Sequence, residues 1–187
     1  MRAFIALPCP PRLRSALTEA LGAWRGRGVA VRWSDPEKIH LTLRFLGDHA
    51  DEDGLGRLEG GLARTAAASR PLVVRPDAIG AFPGWGRPRV LWLRLAEDGA
   101  LADLAGRVEE AAREAGFPAE DRAFSPHLTL GRVKAPRGLD ETLADLRAWR
   151  PDTGLETLDE LIVYRSELGP GGARHEAIGR HRLGGAP

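Results

Sequence analysis

An α+β fold of two similar halves is what the sequence predicts, and three observations carry that reading. The tetrapeptide HLTL occurs twice, at 40–43 and 127–130, with its histidines 87 positions apart (127 − 40). Short apolar or alternating runs are interleaved with stretches whose leucines recur every three or four residues, the periods of strand and helix. Each HLTL run is followed by one of those helical stretches, and no long polar linker divides the chain. That pattern points to duplicated halves packed into one body. No short-period repeat of the solenoid kind is present.

The elements follow in order. Arg2 to Leu7 reads as a first strand, closed by Pro-Pro punctuation. Leu13, Leu17, Leu21 and Trp24 then mark the buried face of an amphipathic helix. Three more stripes predict three more helices, at Leu55, Leu58 and Leu62, at Leu101, Leu104 and Val108, and at Leu139, Leu143 and Leu146. Between them, Leu72 to Arg75, Arg89 to Leu95, Thr157 to Tyr164 and Glu176 to Leu183 are rich enough in apolar and β-branched residues to be strands. FPGWGRP (82–88), APRG (135–138) and GPGG (169–172) are loop signals.

Composition excludes several function classes. With 187 residues and 43% hydrophobic, the chain can bury one large core or two small lobes that share it. Its net charge of +1 gives no general electrostatic reason to bind long nucleic acid, so any RNA contact should be local. Cys9 is the only cysteine, which rules out an intrachain disulfide and a cysteine-based zinc or redox site and fits a reducing cytosol. The apolar run in MRAFIALPCPPR is too short for a signal peptide or a membrane span. A soluble, cytoplasmic, monomeric protein is therefore expected. Of the 27 basic residues only Lys38 and Lys134 are lysines; the rest are arginine, which reads as codon bias, since the hyperthermophile signature is Lys and Glu.

HLTL alternates polar and apolar, and successive side chains of a strand point to opposite faces. His40 and Thr42 thus share one face while Leu41 and Leu43 share the other, and His127 and Thr129 stand likewise opposite Leu128 and Leu130. If both strands face one cleft, it holds two imidazoles and two hydroxyls in approximate twofold symmetry. Such a site can donate and accept protons together. His49, His175 and His181 lack such company and read as surface or structural histidines.

These residues resemble the two-histidine (2H) phosphoesterases, defined by paired His-x-Thr-x motifs, and within them the RNA 2′,3′-cyclic phosphodiesterase branch, also called 2′-5′ RNA ligase. The resemblance includes the opening RAFIALP, the Trp33 to Lys38 approach to the first motif, the FLGD after it, the SPHLTLGRV context of the second and SEL at 166–168. It implies one bilobal domain over 1–187: two pseudo-symmetric lobes, each an antiparallel sheet backed by helices, with the active site in the groove between them. It also implies His40 as general acid, His127 as general base and a 2′-phosphomonoester product, with 2′-5′ ligation as the reverse reaction.

The chemistry suits the residue types. Opening a ribose 2′,3′-cyclic phosphate needs a base for the attacking water and an acid for the departing ribose oxygen, and two imidazoles supply both near neutral pH. Threonine hydroxyls can hydrogen-bond the non-bridging oxygens, where charge builds. No cofactor or metal is required, and neither clustered carboxylates nor a His-x-x-x-His pair suggests one. Arg44 has the parity of His40, so it either reaches the phosphate or closes an exposed strand end. Arg132 has the wrong parity and reaches the groove only if the strand bends or bulges after Gly131. Phe4, Phe45, Trp33 and Tyr164 are candidates for stacking on a base, against the alternative that they are core. The expected partners are RNA ends or nucleotides bearing a 2′,3′-cyclic phosphate. The alternatives are a family enzyme acting on another small cyclic phosphate or a 2′-5′ linked oligonucleotide, and a non-catalytic RNA-end binding module, which would not need both His-Thr pairs.

Overall fold

The structure is a computed structural model that describes residues 1–135, 138–169 and 172–184. The strands are β1 (Arg2–Pro8), β2 (Val31–Trp33), β3 (His40–Gly47), β4 (Leu72–Phe82), β5 (Val90–Ala96), β6 (His127–Val133), β7 (Glu156–Leu158), β8 (Glu160–Gly169) and β9 (Gly172–Arg182). The helices are α1 (Pro11–Arg25), α2 (Glu52–Ala67), α3 (Ala100–Glu114) and α4 (Asp140–Ala148). All four predicted helices are present. The strands run further than the sequence suggested. β4 continues past Pro76, which stays in register with Leu95, and a register shift before Ile79 then steps over Asp77 and Ala78. The run expected from Thr157 to Tyr164 divides at Asp159 into β7 and β8. Pro136, Arg137, Pro170 and Gly171, in two of the predicted loops, lie outside the described residues.

The order β7-β4-β5-β6-β3-β1-β8-β9 is antiparallel throughout, with β2 added to β6. One lobe is β3-β1-β8-β9 and the other is β6-β5-β4-β7. They meet at one residue pair, Leu41 with Leu128. Beyond it β3 leaves the edge of β6 and β2 takes its place, pairing Val31 to Trp33 with Val133 to Gly131. The lobes diverge there, and the divergence opens a groove. Gly131 is needed at this crossing, since a Cβ would stand 2.9 Å from Val31 and 3.0 Å from Trp33.

The helices cover the lobes crosswise. α2 packs on β8, β9 and α3, and α3 reaches back under β3, so both back the first lobe. α4 packs on β4 in the second lobe, and α1 joins it through Trp24, whose ring meets Trp33 at 5.6 Å and Trp149 at 5.5 Å. Local chemistry starts three of the four helices. α1 has Pro at its first turn and buries Leu13, Leu17, Leu21 and Trp24. The Asp51 carboxylate caps α2 by accepting from the Gly54 N–H at 2.6 Å, and Glu97 accepts from Gly99 and Leu101 at the start of α3. One hydrophobic cluster runs through both lobes, from Ile5 and Leu7 to Leu91 and Leu93. Among the described residues, no helix is long and apolar enough to cross a membrane.

Candidate active site

The antiparallel register around Leu41 and Leu128 decides where the two motifs stand. Continued one residue each way, it sets His40 beside Thr129 and Thr42 beside His127, with a local twofold axis through the leucine pair. All four residues line one groove of about 620 Å³, within the range of small-molecule sites.

Each imidazole is held in the same way. His40 Nδ1 lies 2.7 Å from the Lys38 carbonyl and His127 Nδ1 lies 2.7 Å from the Ser125 carbonyl. A carbonyl can only accept, so Nδ1 carries the hydrogen in both rings and Nε2 is left for chemistry. The first carbonyl is aimed by a tight turn, Pro36–Lys38, whose start is capped by Asp35 accepting from the Glu37 N–H at 3.1 Å. Ser34 ties that turn to the other motif: its hydroxyl donates to the Thr129 carbonyl at 2.8 Å and its N–H to the Leu130 carbonyl at 2.8 Å.

A bulge in each motif strand then corrects the expectations for arginine. In β3 the register steps over Leu43, and in β6 it steps over Leu130. Both bulges fall on the last residue of HLTL, and each flips the parity that follows. Arg44 therefore turns away from the groove. It is buried on the helix side against Glu109 and Glu120, neither reaching phosphate nor closing an exposed strand end. Phe45 takes the groove position instead. In β6 the flip brings Arg132 into the groove lining, and the bulge lies one residue before Gly131 rather than after it.

The aromatic candidates divide. Phe45 and Trp33 line the groove. Phe4 also belongs to the groove lining, although its ring is only 4% exposed and is stacked on His40 at 4.7 Å and on Tyr164 at 5.2 Å, where it supports the imidazole. Tyr164 stands beside both rings, 6.0 Å from His40, and is not part of the groove lining. On the other side His127 meets the edge of Phe82 at 5.2 Å, and Phe82 stacks on Trp92 at 5.0 Å. Trp92 lies so flat on β4 that a Cβ on Gly80 would come within 2.2 Å of it.

Sequence reasoning missed His175, as it missed Arg2, Arg32 and Lys38 in the same lining. Expected to be surface or structural, His175 lines the groove and meets the His40 ring edge-on at 5.4 Å. The signal lay in the loop letters GPGG at 169–172. Pairing of Gly169 with Gly172 fixes the hairpin register and sets His175 opposite Ser166, which itself pairs with Arg2 of β1.

Electrostatics set the groove apart from ordinary solvent-exposed surface. Burial pushes the His40 pKa down to about 4, helped by the neighbouring His175 and His127 and opposed by the Lys38 carbonyl. His175 is also lowered, by burial and by the charges of Lys38 and Arg2. Arg2, Arg32, Lys38 and Arg132 line the groove against a single lining carboxylate, Asp35, among the described residues. The groove is built for an anion.

Two histidines on matching strands, in an anion-binding groove, at a spacing of one lobe, suit the resemblance noted above. Residues 10–170 match the sequence profile of the 2′-5′ RNA ligase superfamily. The chain belongs to that superfamily. Among its relatives are proteins named RNA 2′,3′-cyclic phosphodiesterase. That of Methanothermobacter thermautotrophicus is 32% identical over 92% of this chain and 93% of its own length. That of Thermus thermophilus is 33% identical over 99% and 91%. Among solved structures, a protein of Thermus thermophilus superposes with a TM-score of 0.81 at 28% identity over 99% of each chain. Escherichia coli LigT complexed with 3′-AMP superposes at 0.75 and 24% identity over 97% of each chain, a likeness of fold. The superfamily fold is thus the bilobal α+β arrangement seen here.

Proposed function

We propose that this chain hydrolyses 2′,3′-cyclic phosphates on RNA ends or nucleosides to 2′-phosphomonoesters, with two-histidine acid–base catalysis, and carries out 2′-5′ ligation when a 5′-hydroxyl replaces water. The observation that carries the reading is the pair of imidazoles related by the Leu41 and Leu128 axis, each anchored through Nδ1 and each free at Nε2. The names of the relatives support the same activity.

In the forward direction His127 Nε2 takes the proton of a water as its oxygen bonds phosphorus. The bond from phosphorus to the ribose 3′ oxygen breaks, and that oxygen receives the proton of His40 Nε2. One proton is gained by His127 and one is lost by His40, so solvent exchange restores both. Thr42 and Thr129 donate to the non-bridging oxygens, and Arg132 offsets their charge. With a 5′-hydroxyl attacking in place of water, the same path makes a 2′-5′ linkage and releases the 3′-hydroxyl, and its reverse returns the cyclic phosphate.

The low His40 pKa fits an acid that charges only when its substrate is bound. In the empty groove, burial and two neighbouring imidazoles keep the ring neutral at pH 7. A phosphate anion between the motifs favours the charged form and raises the pKa. The deciding experiment supplies pure protein with 2′,3′-cyclic AMP, an RNA ending in a cyclic phosphate and a 2′-5′ dinucleotide, and identifies products by phosphorus NMR. Cyclic phosphate opened to the 2′-monoester alone is the expected result. A 3′-phosphate or a mixture overturns the assigned roles, and turnover of the dinucleotide alone moves the enzyme to another substrate class.

A further inference from the structure

Two histidines acting on one phosphorus come from strands joined at a single residue pair. Something more than the sheet must hold their separation. The segment between α3 and β6, which delivers His127, has no regular secondary structure, so its place depends on side chains. Arg44 supplies the contacts. It is 6% exposed, a rare state for arginine that demands partners. Its guanidinium pairs with Glu109 of α3 and donates to the carbonyls of Phe45 and Pro118, and Nη1 lies 3.7 Å from Glu120. The Glu120 N–H in turn donates to Glu109 at 3.1 Å. One side chain, four residues after His40, thus grips α3 and the stretch that reaches His127 seven residues later (127 − 120).

We propose that Arg44, with Glu109 and Glu120, is a positioning clamp that holds the approach to His127 against the His40 strand; this rests on the two-histidine reading above. Ser34 ties the motifs on the groove side, and Arg44 ties them from behind. Arginine suits the task because its planar fork addresses several acceptors at once, which a lysine cannot do. Without it, Glu109 loses this cation and Glu120 keeps only the exposed Arg122 at its other oxygen, so the two carboxylates repel and push the segment away. A displacement of about 1 Å at a reacting group costs on the order of 100-fold in rate.

The test compares Arg44→Met and Arg44→Lys with Leu58→Ala, a core truncation on α2 beside Val163 of β8 and Gly179 of β9. Melting temperature, kcat and KM on a 2′,3′-cyclic nucleotide, and imidazole NMR spectra of histidine-labelled protein are measured for each. Arg44→Met should lower kcat about 10- to 100-fold with KM changed less than about threefold, and should move the His127 ring resonances. Arg44→Lys should fall between it and the parent, and it serves alone if the methionine variant does not fold. Leu58→Ala should lower the melting temperature while leaving kcat and the His127 resonances in place. Unmoved His127 resonances in the arginine variants, or a kcat loss no larger than in Leu58→Ala at equal destabilisation, overturns the clamp. If the parent turns over no cyclic phosphate, the two-histidine reading fails separately, and the ring resonances still decide the clamp.

Discussion

The strands β3 and β6 carry the same tetrapeptide and the same bulge, yet they build two different surroundings for the same imidazole. Behind the bulge β3 has Arg44, buried among carboxylates, where β6 has Gly131, stripped to let β2 cross. Facing the groove, β3 has Phe45 where β6 has Arg132. His40 sits in a nest of Phe4, Tyr164 and His175, while His127 is bracketed by Phe82 and Trp92. Symmetry of the motif supplies two equal proton carriers; on the proposed mechanism, the asymmetry of what surrounds them lets one act as acid and the other as base.

The largest expected effect removes either carrier. His40→Ala and His127→Ala should each lower kcat by ~10² to 10⁴-fold, the usual worth of a general acid or base, in protein with unchanged circular dichroism. The comparison sharpens with a cyclic phosphate analogue whose leaving group is an acidic phenol. Such a group departs without a proton, so His40→Ala should recover most of its loss on it and His127→Ala should not. Equal recovery by both would erase the difference in roles.

Next in size are the threonines. Thr42→Val and Thr129→Val each remove a hydrogen bond to a charged transition state, worth about 1.5–3 kcal/mol, so kcat should fall by roughly 10- to 150-fold. A value near unity at both positions would leave the non-bridging oxygens without the assigned donors.

The nest around His40 predicts its titration. NMR of the free protein should find the His40 ring titrating near pH 4, and inorganic phosphate should raise that value. His175→Phe removes one of the charges that depress it and should raise it as well, at little cost in packing. The sign carries over to stability. In the unfolded chain both rings take a proton near 6.5, whereas in the fold His40 stays neutral down to about 4 and His175 is also lowered. The unfolded state therefore binds more protons in that window, and stability should fall as pH drops from about 6.5 towards 4. His175→Phe should flatten part of this slope; a slope identical to the parent's would count against the nest.

The smallest effect expected is that of a chelator. The proposed path passes protons between side chains alone, so turnover should persist in excess EDTA. Loss that one added divalent ion restores would break the two-histidine account.

Much of this molecule could be read along the chain. Helix stripes such as Leu13, Leu17 and Leu21 report their own burial, because a 3.6-residue period is a property of the helix itself. The facing of His40 with Thr42 and of His127 with Thr129 follows from the two-residue period of a strand, and that too is local. Parity fails at the first bulge. Whether Leu43 and Leu130 are stepped over depends on hydrogen bonds to the partner strands β1 and β5, and no letter of β3 or β6 records them. Only the tertiary structure therefore exchanged the places of Arg44 and Arg132, sending one behind the sheet among carboxylates and the other into the groove. It alone brought His175 to His40 as well, since that contact runs through two successive registers, β9 on β8 and β8 on β1, before it reaches the strand beside the motif.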